Sequence, residues 1–166
     1  MLDKKDRAIV SFLQYDGRTP YTKIANELSV TEGSVRQRVK RLVDSGQLQI
    51  VGIVPPEEMG WTEAGMIGIN VQANRIAEAA EAIAQLSEVS YLFQAAGEFD
   101  LFAEVYCKDK EHFVSFLNNK LQKIPGVDRT QSFIILKLHK LSYRWGDSEM
   151  PHKETINSKK ELEYKS

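Results

Sequence analysis

Cysteine occurs once in the 166-residue chain, as Cys107. A disulfide framework within the chain and a zinc site built from several of its thiolates are therefore excluded. Long apolar runs are also missing. No stretch approaches the roughly 18 residues of a membrane-spanning helix. The opening residues, 1–10, carry charges where a secretory signal would be apolar, which argues for a cytoplasmic protein. No P-loop, HExxH or GxSxG motif is present. The three histidines, His112, His139 and His152, are far apart and read as surface or half-buried side chains. Cys107 closes an apolar stretch and reads as buried rather than nucleophilic. Nothing here assembles a catalytic or metal centre, and neither a cofactor nor a membrane partner is expected. The length leaves room for one ordinary domain or two small ones, not for a large α/β barrel.

The net charge of -1 conceals an asymmetry. Residues 1–50 hold nine Lys and Arg against six Asp and Glu, whereas residues 51–150 hold nine against fourteen. A basic first third on an acidic remainder points to two modules with different partners.

The first module reads as three short helices. Asp3 caps the first, with Asp6 in its first turn. Ala8, Ile9, Phe12 and Leu13 form one apolar stripe, and the segment from Asp16 to Pro20 stops it. Thr22 is positioned to cap a second helix with Ile24, Ala25 and Leu28 inward. Ser29 and Val30 make a tight turn. Thr31 caps a third helix that runs to Asp44 and ends at Ser45-Gly46. Val35, Val39 and Leu42 are its buried seam. Gly33, Gln37, Lys40 and Arg41 point away, with Ser34 and Arg36 to either side. Three helices with a tight turn before a basic last helix is the helix-turn-helix pattern, whose last helix enters the DNA major groove. Ser34, Arg36, Gln37 and Lys40 are the candidates for base-edge contacts. Arg18, Thr22, Lys23 and Arg41 are the candidates for phosphates. Arg38, at the seam edge, is expected to hold helices together by a salt bridge. Residues 48–54 alternate towards a strand, a wing or a dimerising ribbon. Pro55 to Gly60 reads as a linker.

The second module alternates differently. Strands are expected at 64–73, 90–95, 101–107 and 130–138. Helices are expected from Ile76 to Leu86 and from an Asp109 cap through Leu121, the second ended by Pro125-Gly126. Gly97 to Asp100 is a turn. The order βαββαβ is ferredoxin-like: one antiparallel sheet with both helices on one face. Ile69, Leu92, Phe102 and Ile134 are the candidates for the uncovered face, which points to a dimer. The fold class is thus α+β. A helix-turn-helix domain (1–52) and a linker (53–62) precede a ferredoxin-like domain (63–142). A polar tail (143–166) follows.

Taken in order, these pieces resemble the leucine-responsive regulator/AsnC family over about residues 2–140. The resemblance rests on Leu2-Asp3, Asp6-Arg7, Ile9, Asp16-Gly17-Arg18, Ile24-Ala25, Leu28, Val35, Arg38-Val39, Arg41-Leu42, Gly46 and Met59-Gly60. It continues through Gly97-Glu98-Phe99-Asp100, Leu117, Pro125-Gly126-Val127, Thr130 and Ser132. It implies a transcriptional regulator that binds double-stranded DNA. Its C-terminal domains would dimerise by sheet packing, and the dimers would assemble into tetramers or octamers. A small effector, usually an amino acid, would bind between dimers near the Gly-Glu-Phe-Asp turn and the last strand. Carried over, Gly97, Glu98, Asp100, Thr130 and Ser132 become effector-site candidates, and Gln131 joins them on position alone. Ala95-Ala96 depart from the hydroxyl residue that often precedes the glycine in the family. Two alternatives use the same sequence: a sequence-tolerant architectural DNA-binding protein, and a cofactor-binding enzyme resembling siroheme decarboxylases. For the second, no histidine- or arginine-rich cavity assembles from these residues.

Overall fold

Asp3 opens the first helix, α1 (Lys4–Tyr15), with a reciprocal cap. Its carboxylate accepts the Asp6 N–H at 2.7 Å, and Asp6 accepts the Asp3 N–H at 3.3 Å. Two orphan donors of the first turn are thereby satisfied. The second helix, α2 (Tyr21–Glu27), begins two residues earlier than a Thr22 cap would place it. Pro20 takes the cap position at φ -60° and ψ 136° and makes no side-chain cap bond. Its ring presets the extended backbone that turns the chain into the helix, so Thr22 lies inside the first turn. Between α2 and α3 (Glu32–Asp44), Ser29 adopts φ 51°, the left-handed conformation the tight turn requires. Thr31 caps α3 by accepting the Ser34 N–H at 3.2 Å. Ile9, Phe12, Leu13, Ile24, Ala25, Val35 and Val39 form one buried cluster, so all three helices share a single small core.

The computed structural model describes residues 1–143. Its described residues divide into two compact units, Met1–Gly52 with residues 141–143, and Ile53–Lys140. The polar-tail expectation lies beyond Tyr143, outside the described residues, as does His152. Residues 48–54 do not form the expected strand. A strand needs a partner for its N–H and C=O groups, and this stretch joins no sheet among the described residues. Ile50, Val51, Ile53 and Val54 remain exposed. A single 3-10 turn, Pro56–Met59, lies in the expected linker.

The second unit is a four-stranded sheet. Its elements run β1 (Glu63–Val71), α4 (Ile76–Ala84), β2 (Val89–Gln94), β3 (Leu101–Cys107), α5 (Lys110–Asn119) and β4 (Val127–Ile134). The order across the sheet is β2-β3-β1-β4, with every neighbouring pair antiparallel. Helix α5 ends at Asn119, well before Pro125, and a 3-10 turn at Leu121–Lys123 follows. Gly126, at φ 94°, instead opens β4, which begins and ends earlier than the expected 130–138.

Both helices cover one sheet face. Ala79 and Ile83 from α4 and Phe113 and Phe116 from α5 pack with Ile67, Ile69, Leu101, Ala103, Val105 and Cys107. Burial pushes the Cys107 thiol up to about 11, so it holds almost no thiolate at neutral pH. The opposite face carries Tyr91, Phe93, Phe102 and Phe133, with ring centroids 5.6 Å (Tyr91 to Phe93) and 5.4 Å (Phe93 to Phe102) apart. Of the four residues expected there, only Phe102 is present. Ile69 pairs with Leu101 and Leu92 with Ala103, both on the helix side. Ile134 pairs with Gly65, where an added Cβ would meet the Phe113 ring. Ile69 sits at a point where β1 is apolar on both faces, and only the pairing register decides its direction.

In the connection between α4 and β2, the Glu88 carboxylate is almost fully buried. It accepts from Lys120 Nζ and from His112 Nε2 at 3.0 Å. The Lys108 N–H donates to His112 Nδ1 at 3.1 Å, which leaves Nε2 as the ring's donor. Burial works against the carboxylate, but Lys120, its own backbone N–H and His112 prevail and hold it at about 2. A carboxylate held low in the folded state stabilises above its unfolded value, and that stabilisation fades as pH falls towards the folded one. Glu88→Gln is therefore expected to cost about 3 kcal/mol at pH 7 and distinctly less at pH 3. Urea titrations at the two pH values check this. An equal loss at both would contradict an ionic role.

Candidate nucleic-acid interface and effector turn

The outer face of α3 presents Gly33, Gln37 and Lys40 to solvent, with Arg36 exposed on the α2 side and Ser34 half-buried on the other. Arg36 pairs with Glu32, and Lys40 pairs with Asp44 at 2.6 Å, each within the helix and open to water. Exposed pairs of this kind contribute about 0.5 kcal/mol or less, so a phosphate or base edge can displace them. Arg36 also lies 5.6 Å from the centre of the Tyr21 ring. Thr22 and Lys23 are exposed in the first turn of α2, and Arg18 is exposed in the turn after α1. The Arg18 N–H closes that turn on Asp16 Oδ1 at 2.8 Å.

Arg41 belongs to a different set. Its Nη2 donates to Asp6 Oδ2 at 2.6 Å, and Arg38 Nη1 donates to Asp6 Oδ1 at 2.8 Å and to Asp3 Oδ2 at 2.6 Å. The Asp6 side chain is 3% exposed. Burial disfavours its charge, yet the two guanidiniums hold the carboxyl below its usual range. The expected Arg38 bridge is thus a two-arginine clamp that ties α3 to the start of α1. Arg41, read from the sequence as a phosphate contact, already has one N–H engaged there.

In the second unit the turn at Gly97 to Asp100 joins β2 to β3 and is stitched to β1. The Asp100 N–H donates to Ile69 O at 3.0 Å, and Asp100 Oδ2 accepts the Val71 N–H at 2.8 Å. Phe99 lies flat over Gly68, where an added Cβ would come within 2.7 Å of its ring. Gly97 and Glu98 stay exposed. Arg129 Nη2 donates to Glu98 Oε1 at 3.2 Å and its Nε to Asn70 Oδ1 at 3.3 Å, with the guanidinium 5.8 Å from the Phe99 ring centre. Thr130 and Ser132 pair with Ile69 and Ile67 and face the helix side, whereas Gln131 pairs with Gly68 and faces the uncovered side. The six effector candidates therefore do not share one face: Gln131 is separated from Thr130 and Ser132 by the pleat. Asn70 and Arg129 were not singled out from the sequence. The only signal was Arg129 beside Thr130, and its partner Glu98 becomes visible only once β1 and β4 are in register.

The comparisons bear on both units. Residues 2–43 match the model of the AsnC-type helix-turn-helix domain, and residues 65–145 match that of the Lrp/AsnC ligand binding domain. An uncharacterised HTH-type transcriptional regulator of Pyrococcus furiosus is 37% identical over 144 residues, covering 86% of this chain and 97% of its own. This chain belongs to the Lrp/AsnC family. Among solved structures, AsnC of E. coli superposes with a TM-score of 0.75 at 26% identity, covering 85% of this chain and 96% of its own. A transcriptional regulator of Neisseria meningitidis, solved as an L-Met complex, superposes at 0.75 and 25% identity, covering 88% and 97%. As an Lrp/AsnC protein, the chain is a transcriptional regulator with a DNA-binding head, and its ferredoxin-like unit is the family's ligand-binding domain. Among the described residues no helix is long and apolar enough to cross a membrane.

An amide in place of the buried Asp6 carboxylate cannot accept from both guanidiniums and turns its own N–H groups towards them. Asp6→Asn should therefore lower the stability of the helix-turn-helix unit by about 3 kcal/mol. Arg36→Ala, which breaks an exposed pair and a contact with the Tyr21 ring, should change it by no more than about 1 kcal/mol. Urea unfolding followed by circular dichroism separates the two. Equal, small losses would remove the clamp from the account.

Proposed function

We propose that this Lrp/AsnC regulator binds one operator sequence as a homodimer and responds to an amino acid or a chemically related effector. The observation that carries the DNA half is the outer face of α3. Its cations Arg36 and Lys40 stand in exposed ion pairs, Arg36 also beside the Tyr21 ring, on a helix whose orientation is fixed elsewhere. In a dimer, two copies of α3 enter successive major grooves about one helical turn apart. Ser34, Arg36, Gln37 and Lys40 serve at or near base edges. Arg18, Thr22, Lys23 and the free side of Arg41 serve the phosphates.

The dimer forms through the uncovered sheet face, where Tyr91, Phe93 and Phe133 are exposed in one chain. Dimers then associate into tetramers or octamers. The effector sits at the Gly97–Asp100 turn and the start of β4. Exposed Glu98 suits an ammonium group, Arg129 a carboxylate, and the Gly97 backbone can approach either. Asp100, Thr130 and Ser132 support that turn and strand. The Neisseria meningitidis relative with bound L-Met supports an amino acid as the ligand class. Such a ligand shifts assembly only by its differential affinity for the two states.

The test is a titration against the DNA upstream of the protein's own gene, with random DNA as competitor, with and without a mixture of the common amino acids. Binding is expected to favour the upstream fragment by at least a thousandfold and to change with the mixture. Equal affinity for both DNAs would support an architectural protein instead. In the same assay, Lys23→Ala, which removes one phosphate contact, should reduce the salt slope by about one unit. An unchanged slope removes Lys23 from the phosphate contacts. Phe93→Glu should place a charge in the aromatic row and yield monomers in sedimentation velocity. A variant that stays dimeric would place the interface elsewhere.

A further inference from the structure

Arg36 is the one outward cation of α3 held from two sides. The Tyr21 ring, at the start of α2, lies against its guanidinium, and the Glu32 carboxylate, one turn earlier on α3, accepts from its Nη2. Tyr21 is itself fixed, because it packs against the buried cluster of the three helices. Lys40, by contrast, has a single exposed partner in the last turn. A freely moving arginine would pair with phosphates of any sequence. One flanked by a ring and a carboxylate favours one orientation of its fork over the others, with further N–H groups still available.

We propose that Tyr21 and Glu32 make Arg36 the base-reading residue of α3, and that Glu32 determines specificity. The chemistry names the target. A fixed guanidinium matches the paired O6 and N7 acceptors of guanine in the major groove, the commonest specific arginine contact. Glu32, beside it at the N-terminal end of α3, is an acceptor for the N4 amino group of cytosine. Where no such pair is offered, its charge is set against the phosphates and works against binding. The operator half-site therefore contains a G·C pair opposite Arg36, and Glu32 acts mainly by lowering affinity for other sequences. The inference rests on the sequence-specific function proposed above and assigns to it the residue that discriminates.

The test starts from a randomised duplex pool. The wild-type protein is used to enrich a sequence, and each position of that sequence is then replaced singly. Affinities are measured for wild type, Arg36→Ala and Glu32→Gln. The wild type is expected to lose about ten- to a hundredfold at one G·C pair. Arg36→Ala should abolish that preference. Glu32→Gln should reduce it by about tenfold at the same position, while binding random DNA at least as well as wild type. The melting temperature of Glu32→Gln, a change at an exposed pair, should stay within a degree or two, which excludes a fold defect as the cause. An enriched sequence whose profile is unchanged by Glu32→Gln, or weakened equally at every position, overturns this inference alone. A pool from which the wild type enriches nothing overturns the sequence-specific reading, and this inference with it.

Discussion

The buried carboxylate of Asp6 is the interaction on which the DNA-binding unit depends. A charge removed from water is tolerable only if its oxygens are fully partnered. Asp6 meets that condition with Arg38, Arg41 and the Asp3 N–H. Both arginines come from α3, so satisfying one acid on α1 also sets the direction of the helix proposed to face DNA. The hydrophobic cluster beneath is small, and apolar contacts alone specify a helix orientation loosely. Paired hydrogen bonds to two guanidiniums specify it closely.

This arrangement divides the cations of α3 by task. Arg38 and Arg41 face a buried acid and hold the fold. Arg36 and Lys40 face exposed acids and remain exchangeable. The same sequence run, Arg36 to Arg41, thus supplies both a strong structural tie and a weak, displaceable surface. The second unit divides its sheet in a comparable way. One face is closed by α4 and α5, and the other keeps an aromatic row that a second chain can cover. The Gly97–Asp100 turn lies where these faces meet, because Asp100 is bonded to the end of β1 while Phe99 rests on Gly68 over the uncovered side.

Much of this was legible in the residues themselves. Asp3, Thr31 and Asp109 cap the helices they were expected to cap, because a side-chain acceptor before an amphipathic run is a local signal. The order of strands and helices followed from periodicity. What failed was non-local. Thr22 is passed over because Pro20 already sets the entry to α2. The 48–54 stretch has strand composition but no partner strand among the described residues. Ile69, Leu92 and Ile134 were assigned to the wrong face, since a one-residue difference in register inverts every side chain of a strand. Gln131 parts from Thr130 and Ser132 for the same reason. Arg129, Asn70 and Tyr21 gain their meaning only from neighbours distant in sequence, and no spacing rule reaches them.

The proposed function requires α3 to enter the major groove twice per dimer. Methylation protection on a bound duplex reports on this, because guanine N7 lies in the major groove and adenine N3 in the minor groove. Guanine N7 is expected to be protected in two patches about one helical turn apart, with adenine N3 still reactive between them. Protection of adenine N3, or no change at either atom under conditions of full binding, would contradict it.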